Sequence, residues 1–533
     1  MGFVLYLKSM QQMLASKACK INRGQGAIVN VKRMILFSVI FIGIFEMSFL
    51  SKKKRSQALA MSSVLCFLIV VSAAHAGPVL SGGQSKAATQ WFSQPSDSRG
   101  ALPDSLKELT HLSKAKANNF NKQLWAAYKR GAIALGWDKQ IPPMPMRFEK
   151  MIRLPRKKQP RIRPMLMDLG QGKKMPFLTL LRGKPKNKLW PMHITLHGGG
   201  RSSRKVTPHG WGVNTREWQV QTILFQRVFT NSGIYFIPRM VDDNDGRWWY
   251  KYNITAFDRM IRRGILFNHV DPNKIYIYGI SEGGYGTCRL GPHMADRFAA
   301  VGSMAASGGA DNLDLLKNLR NTPFRVDVGE KDTAYKRATF AKNWGKAMAK
   351  IKAAHPQADA FKYHLQMHKG RGHGIDYAPQ PKWLVKHTRN PYPKKIYWTV
   401  NDIQGQFSKY FYNLGYDKTP ERKEAYYFTA SFDRKHNTVT LTAQQSKTVE
   451  LPEKNKKGQH LTKSIKEPFH KNTINIYLND KILDLDKPVV VMLNGKEVYR
   501  GKANRTAENI MRSISDRGDP YFVFPSLIQI KVP

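Results

Sequence analysis

One short motif constrains the fold of this chain more than any other feature: a Gly-x-Ser-x-Gly turn directly after a run of β-branched and aromatic residues. Residues 274–278 read Lys-Ile-Tyr-Ile-Tyr, which is typical of a buried strand, and the motif follows at 279–283 with Ser281 at its centre. A sharp turn from strand to helix leaves no room for side chains beside the serine, so the flanking positions need glycine. The motif therefore predicts that Ser281 is a nucleophile at the end of a strand.

A second motif lies upstream, where residues 190–196 read as a strand that leads into His197 and three glycines. Consecutive glycines allow a backbone N–H group to point into a site without a side chain in the way. The pattern predicts an oxyanion hole made by Gly198, Gly199 and the backbone N–H of Glu282, the residue after the nucleophile. One such donor is typically worth about a hundredfold to a thousandfold in rate.

With both motifs, the chain resembles the α/β-hydrolase superfamily. The resemblance implies an α/β fold, namely a doubly wound, mostly parallel sheet, and the chain order nucleophile, acid, histidine. Residues 324–329 alternate as a half-buried strand does, and Asp332 lies just beyond the carboxyl end of that strand. Catalytic groups of open parallel sheets gather at this edge, which favours Asp332 as the acid. Asp327 inside the strand and Glu330 remain alternatives.

In this chain order the catalytic histidine follows the acid. Residues 361–368 alternate as a strand near the sheet edge, and the loop that follows holds His373 between two glycines. His364 and His368 fall on the polar face of the strand, where we expect them to be solvated. A serine hydroxyl needs an imidazole to take its proton and a carboxylate to orient that imidazole. The sequence thus predicts a triad of Ser281, His373 and Asp332.

Aromatic residues follow another predicted strand, and Trp248, Trp249 and Tyr250 are predicted to line the substrate cleft. The chain shows no Cys/His cluster and no His-Glu-x-x-His motif, so we expect no metal and no cofactor.

The sequence divides into four predicted regions by composition and pattern. They are a leader with a signal peptide at 1–76, a helical and basic extension at 77–174, the α/β-hydrolase catalytic domain at 175–393, and an all-β, sandwich-like accessory domain at 394–533. In the extension, residues 77–100 are expected to be loose, and Ser105 and Glu108 suggest a capping box before a helix. Asn494 and Gly495 predict a hairpin in the accessory domain.

The amino-terminal region indicates export. Basic residues at 52–55 precede an apolar run at 64–71 and an Ala-x-Ala site, so we expect cleavage after Ala76 and a secreted or periplasmic protein. Because a signal peptide normally begins near the initiator, Met47 is a candidate start, which would leave residues 1–46 untranslated. Cys288 is then the one cysteine of the processed chain, which excludes an intramolecular disulfide.

The charge of the chain is strongly basic, with 87 Lys and Arg against 37 Asp and Glu for a formal charge of +50. Residues 1–76 hold only 10 of the basic residues, so the excess is spread through the rest of the chain. Such a field attracts an anionic polysaccharide or a membrane surface in a salt-dependent way. No helix-turn-helix, zinc-finger or RNA-binding signature is present, so no specific nucleic-acid module is predicted.

Within the superfamily, Val-Asp-Pro at 270–272 resembles secreted esterases of the polyhydroxybutyrate-depolymerase and feruloyl- or acetyl-xylan-esterase type. This resemblance implies an ester substrate, with a polymer-linked ester as one option. The Gly-x-Ser-x-Gly-Gly form is also similar to prolyl-oligopeptidase-like peptidases, although the stretch before residue 190 is too short for their propeller. A third hypothesis is a polyanion-binding surface protein with a vestigial hydrolase site.

Overall fold

A mixed sheet positions the predicted catalytic residues. The computed structural model describes residues 80–138, 146–147, 165–308, 313–422, 424–454 and 460–533, so the signal peptide, the cleavage site and Met47 lie outside the described residues. The strands of this sheet are β1 Met146–Arg147, β2 Met165–Asp168, β3 Lys174–Arg182, β4 Trp190–Leu196, β5 Gly233–Pro238, β6 Val270–Ile280, β7 Ala300–Met304, β8 Phe324–Gly329 and β9 Tyr363–His368. Their order is β1-β3-β5-β4-β6-β7-β8-β9, with β2 beside β3.

Most neighbours in this sheet run parallel. Only the pairs β2–β3 and β3–β5 are antiparallel among the described strands of this sheet. The helices of the described chain are α1 Gly82–Phe92, α2 Asp104–Lys107, α3 Lys114–Ala134, α4 Gly212–Arg227, α5 Lys251–Phe267, α6 Glu282–His293, α7 Leu313–Leu316, α8 Arg337–Ala353, α9 Pro379–Leu384 and α10 Ala507–Arg517. None of these described helices has the length and apolar character needed to cross a membrane.

Strand β6 shows why helices cover both faces of the sheet. Side chains alternate along a strand, so Ile275 and Ile277 join one apolar cluster with Phe257 of α5. Tyr276 and Tyr278 join a second cluster, which contains residues of α4 and α9. A strand that is apolar on both faces belongs in the middle of a doubly wound sheet. The predicted α/β fold, an α/β-hydrolase-type doubly wound and mostly parallel sheet, is confirmed.

The carboxyl-terminal region contains two further sheets, as the predicted sandwich requires. The strands are β10 Lys395–Asn401, β11 Tyr410–Phe411, β12 Leu414–Tyr416, β13 Ala425–Asp433, β14 Thr438–Lys454, β15 His460–Pro468, β16 Asn472–Leu478, β17 Pro488–Leu493, β18 Lys496–Lys502 and β19 Ser526–Val532. One sheet has the order β10-β13-β14-β17-β18 with β15 beside β14, and the other has the order β11-β12-β16-β19. Trp398 of the first sheet stacks on Phe411 of the second, with ring centroids 5.8 Å apart.

Two local predictions about the accessory region have different outcomes. The hairpin is confirmed, since β17 and β18 pair antiparallel around Asn494 and Gly495, which both have positive φ. The description of the region as all-β is incomplete, because α10 lies between β18 and β19. Thr506 caps this helix by accepting a hydrogen bond from Asn509 N, and Gly518 ends it in the left-handed conformation.

The described part of the amino-terminal extension is more ordered than its composition suggested. Helix α1 begins after Ser81, whose side chain and that of Gln84 form a capping box, so the expectation of a loose segment at 77–100 was wrong for its described residues, 80–100. The capping box predicted at Ser105 is also wrong, because that residue lies inside α2. Helix α3 is capped instead by Ser113, which accepts from Lys116 N.

The helical extension packs against the end of the chain. An apolar cluster joins α1 and α3 to α10 and includes Phe92, Phe120, Leu124, Ile510 and Ile514. The large sheet also begins earlier than the predicted boundary at 175, since β1 and β2 both pair with β3.

Buried ion pairs join the region of the large sheet to the end of α10 and the segment after it. Arg389 approaches Asp519 at 2.8 Å, and both side chains are about 1% exposed. Arg517 pairs with Asp296, and Tyr412 N donates to the same carboxylate. Because removal of one partner would leave a buried charge uncompensated, these pairs hold the two regions in one arrangement.

Candidate active site

Ser281 occupies the turn between β6 and α6. Its backbone has φ 54° and ψ −113°, a strained conformation for a residue other than glycine. Ser281 N donates to Met304 O at 2.9 Å, which fixes the turn to the neighbouring strand β7. Helix α6 starts at the next residue, so the positive end of its dipole faces the serine.

The two motif glycines are required by close backbone contacts. A Cβ atom on Gly279 would lie 2.5 Å from the backbone of Gly283, and one on Gly283 would lie 2.2 Å from Leu196 O. Neither position can hold a side chain unless the backbone moves. The strained turn therefore depends on these glycines, as the sequence predicted.

The structure brings the three predicted triad residues together. His373 lies between the other two, with Nδ1 2.7 Å from Asp332 Oδ2 and Nε2 3.1 Å from Ser281 Oγ. An ionised carboxylate only accepts hydrogen bonds, so His373 carries its proton on Nδ1 and donates it to Asp332. Nε2 is then free to accept the hydroxyl proton of Ser281. This is the arrangement in which the imidazole can act as a base toward the serine.

The loop of His373 reaches this position because β8 ends in glycine. A Cβ atom on Gly329 would lie 1.9 Å from Gly372 O, so a larger residue would push the histidine loop away. Lys331 N also donates to Arg371 O at 2.8 Å. The glycines at 372 and 374, by contrast, have open space around them.

The alternative acids have other contacts. Asp327 is fully buried and accepts two hydrogen bonds from Arg325, at 2.7 and 2.8 Å. Glu330 accepts from Gly370 N at 2.9 Å and so fastens the histidine loop. His368 was predicted to be solvated, and this was wrong: its side chain is 12% exposed and lies 3.2 Å from Asp327. Buried Asp327 draws His368 inward, which a pattern of polar alternation does not reveal.

The glycine loop after β4 lies against the nucleophile. A Cβ atom on Gly198 would be 3.4 Å from Ser281 Cβ, which is van der Waals contact, so the loop lies directly against the serine. Gly199 and Gly200 have φ of 97° and 133°, a region that favours glycine. Gly198 and Glu282 thus lie beside Ser281, and Gly199 is the next residue of the same loop; the oxyanion role of the three residues stays a prediction.

Buried polar groups hold this loop in place, and sequence reasoning missed them. The Asn214 side chain accepts from Gly200 N and donates to Gly200 O, both at 2.9 Å, and it also donates to Asp243 at 2.7 Å. Asp243 in turn pairs with Arg239 at 2.8 Å, and all three side chains are buried. Asn214 and Asp243 are far apart in sequence, so no local pattern relates them to the loop.

His197 also anchors the loop. Its Nε2 accepts a hydrogen bond from Met240 N at 3.0 Å, so the ring proton lies on Nδ1, which donates to Gly198 O at 2.5 Å. Burial lowers the pKa of His197 to about 3. The ring is therefore neutral at ordinary pH and acts as a fixed support.

Glu282 offers both a backbone donor and a buried side chain beside the nucleophile. Its carboxylate accepts a hydrogen bond from Arg247 at 2.7 Å, while the other oxygen, Oε1, has no partner among the described residues. Burial raises the pKa of Glu282 to about 6, although Arg247 opposes the shift. The charged form is thus disfavoured in the folded state.

We expect Glu282→Gln to stabilise the protein more at pH 8 than at pH 4. Because the folded pKa of about 6 lies above the ordinary 4.5, wild-type stability is lost as pH rises through this window. The pKa shift corresponds to about 2 kcal/mol of unfolding free energy that the wild type loses at high pH. A neutral amide side chain does not ionise, so the variant does not undergo this loss. Urea unfolding of both proteins at the two pH values measures this difference. An equal difference at both pH values would contradict it.

Two further charged residues border the site without having been predicted. Arg337, at the start of α8, donates to the second oxygen of Asp332 at 3.0 Å and is 9% exposed. Glu217 of α4 lies beside the glycine loop, because its Oε2 would be 3.1 Å from a Cβ atom on Gly198. Both residues belong to helices whose sequences carry no motif that marks a site, so they could not be identified from the sequence.

The three aromatic residues that were predicted to line the cleft differ in their surroundings. Trp248 is fully buried, so its prediction as a cleft residue was wrong: its Nε1 donates to His197 O at 3.1 Å, and its ring packs under α6 at Gly286. Trp249 is partly exposed and stacks with Arg247 and Arg289 beside Glu282. Tyr250 stacks on Tyr252, with centroids 5.8 Å apart.

The described residues contain no group of three or more His, Cys, Asp or Glu side chains placed to hold a metal ion. The charged groups around Ser281 have protein partners, as the Arg247–Glu282 and Arg337–Asp332 pairs show. The arrangement is suited to nucleophilic chemistry by side chains and backbone donors.

Comparison with known proteins gives distant structural likenesses. No family model and no curated protein matches the chain. A thermostable esterase is 19% identical, with a TM-score of 0.31, and the match covers 43% of this chain and 63% of the esterase. A ferulic acid esterase is 18% identical, with a TM-score of 0.29, over 40% of this chain and 92% of its own.

A poly(3-hydroxybutyrate) depolymerase from Bordetella parapertussis is 14% identical, with a TM-score of 0.29, over 42% of this chain and 93% of its own. The match to the thermostable esterase spans less than two thirds of that protein. At these values the likenesses do not assign an activity to this chain.

Proposed function

We propose that this chain is a serine hydrolase that cleaves carboxylic esters through an acyl-enzyme, with Ser281 as nucleophile, His373 as base and Asp332 as the orienting acid. One observation carries the proposal: two hydrogen bonds, of 3.1 and 2.7 Å, link the strained Ser281 through His373 to buried Asp332. A serine and a base within hydrogen-bond reach, with the base oriented by a third group, is the signature of an activated nucleophile.

The reaction follows from the contacts. Ser281 Oγ attacks the ester carbonyl while His373 Nε2 takes its proton, and the carbonyl electrons move onto the oxygen. Backbone N–H groups of Glu282 and of the glycine loop, at the positive end of α6, would stabilise that oxyanion. The tetrahedral intermediate expels the alkoxide, which takes the proton from His373. Water then repeats the sequence and releases the acid.

The vestigial-site hypothesis is less favoured by the geometry. A binding protein without catalysis has no use for a strained backbone at Ser281, since such strain costs about 1–3 kcal/mol and persists where function needs it.

The peptidase hypothesis needs contacts to the peptide on both sides of the bond. The described residues 80–138 form helices that pack against α10, and no propeller precedes the sheet within the described chain.

We expect a preference for esters over amides that share one acyl group. The measurement is kcat/KM for an aryl ester and for an aryl amide with the same acyl group. Each value is divided by the rate constant for spontaneous hydrolysis of that substrate, which corrects for the difference in chemical reactivity. Activity of the Ser281→Ala variant is subtracted as background. The proposal predicts a kcat/KM at least about tenfold higher for the ester after this correction, or roughly 1.4 kcal/mol in transition-state binding. A higher corrected value for peptide amides would favour the peptidase instead.

We further propose that the protein is exported with cleavage after Ala76. The basic, apolar and Ala-x-Ala order of residues 52–76 supports this. Amino-terminal sequencing of protein from the medium or periplasm is expected to begin at Gly77. An exported protein that retains Met47 would contradict the proposed cleavage.

A further inference from the structure

A cavity of about 330 Å³ lies where α3 meets the accessory region, and it shares no lining residue with the site around Ser281. Helix α3 forms one wall, and residues 479–481 and 520–525 form the other. Its volume falls within the range of about 300–1,000 Å³ that is usual for small-ligand pockets. The three parts come from distant places in the sequence, so only the folded chain creates this space.

One wall of the cavity is a polar stripe on α3. Lys114, Asn118 and Asn121 line it at a spacing of four and three residues, which places them on one face of the helix. Neither Asn118 nor Asn121 has a side-chain hydrogen-bond partner among the described residues. A side-chain amide both donates and accepts, so two of them can pair with neighbouring hydroxyl groups of a ligand.

The charge in the cavity is positive. Lys114 and Lys481 line it, and neither forms an ion pair with a described residue. The carboxylate that also lines the cavity, Asp480, pairs with Arg505 at 2.6 Å, and Arg505 pairs as well with Asp486 at 2.7 Å. Three cations, Lys114, Lys481 and Arg505, therefore face two carboxylates, and the surplus positive charge favours a ligand that carries a carboxylate.

The rim of the cavity supplies flat apolar surface. Tyr521 and Pro520 lie there, and the Tyr392 hydroxyl donates to Tyr521 O at 2.6 Å, which fixes this segment. An aromatic face with polar groups nearby suits a ligand with one apolar and one polar side, such as a sugar ring.

We propose that this cavity binds uronic acid units of an acidic polysaccharide, with the ring against Tyr521, the hydroxyls on Asn118 and Asn121, and the carboxylate on Lys114 and Lys481. The site goes beyond the proposed ester hydrolysis and needs no turnover. It gives the helical extension and the accessory region a common role in holding a polymer.

Titration calorimetry of full-length Ser281→Ala protein with trigalacturonate, at physiological ionic strength, tests the proposal apart from catalysis. We expect saturable binding that Asn121→Ala and Lys481→Ala each weaken by about tenfold, as loss of a charge-assisted or buried polar contact predicts. Lys346→Ala removes an equal charge from the exposed face of α8 and is expected to leave the affinity unchanged.

Two comparison ligands complete the test. Cellotriose, which lacks carboxylates, and citrate, which lacks the sugar ring, are both expected to bind at least about tenfold more weakly than trigalacturonate. Absence of trigalacturonate binding would overturn the proposal, and so would equal weakening by Lys346→Ala, since binding would then follow net charge. Equal affinity for citrate would show that no sugar is recognised.

Discussion

Replacement of Ser281 by alanine is expected to lower kcat/KM for an activated ester by at least about 10⁴-fold while the fold is kept. The nucleophile and the base act as one unit, so loss of the hydroxyl removes the acyl-enzyme route and leaves only the help of the backbone donors. Steady-state kinetics of the purified variant measures the loss, and circular dichroism checks the fold.

Ser202→Ala is a matched control, because Ser202 follows the glycine loop, and among the described residues its hydroxyl only accepts a hydrogen bond, from Arg204 N at 3.1 Å. This variant is expected to keep most of its turnover. Comparable losses in the two variants would mean that Ser281 is not the nucleophile.

Asp332→Asn is expected to lower kcat by about 10⁴-fold, because an amide at this position no longer selects the His373 tautomer that accepts the serine proton. The measurement is again ester turnover, and the control is Asp327→Asn. Asp327 contacts Arg325 and His368 and does not contact His373.

The control variant is therefore expected to lose stability, since Arg325 would keep its charge in a buried place without a full partner. Its turnover per folded molecule should stay close to that of the wild type. If Asp327→Asn proved as inactive as Asp332→Asn in folded protein, the assignment of the acid would be wrong.

The sequence predicted those parts of the site that depend on local backbone geometry. The turn around Ser281 needs Gly279 and Gly283, because Cβ atoms there would meet backbone atoms within 2.5 Å. These contacts involve residues of the motif itself or residues next to it, so the need for glycine is visible in the sequence as a fixed spacing. The place of Asp332 after β8 follows in the same way from the rule that functional groups lie at the carboxyl ends of parallel strands.

Residues that act from another part of the chain were not visible. Asn214 holds the glycine loop from α4, and Arg337 reaches Asp332 from α8. The aromatic cluster shows the same limit, since Trp248 and Trp249 are adjacent, yet one is buried under α6 and the other is partly exposed. The residue types alone do not show which of the two adjacent tryptophan side chains is buried.

The boundaries of the domains were also set by contacts over long distances. Strand β2 joins the sheet through pairing with β3, and α10 packs against α3 from almost the other end of the chain. The short run of β2 carries too few residues for a periodic pattern. Helix α10 was missed because strands surround it in the sequence. Its N-cap residue, Thr506, is the kind of local signal that marks where such a helix begins.

Mass spectrometry of the wild-type protein after reaction with a fluorophosphonate tests the central claim most directly. The reagent reacts with a serine that a neighbouring base activates, and here such a base is His373, 3.1 Å from Ser281 Oγ. We expect one covalent adduct per chain, located on the peptide that contains Ser281 and lost in Asp332→Asn. An unmodified Ser281, or an adduct on a different residue, would contradict it.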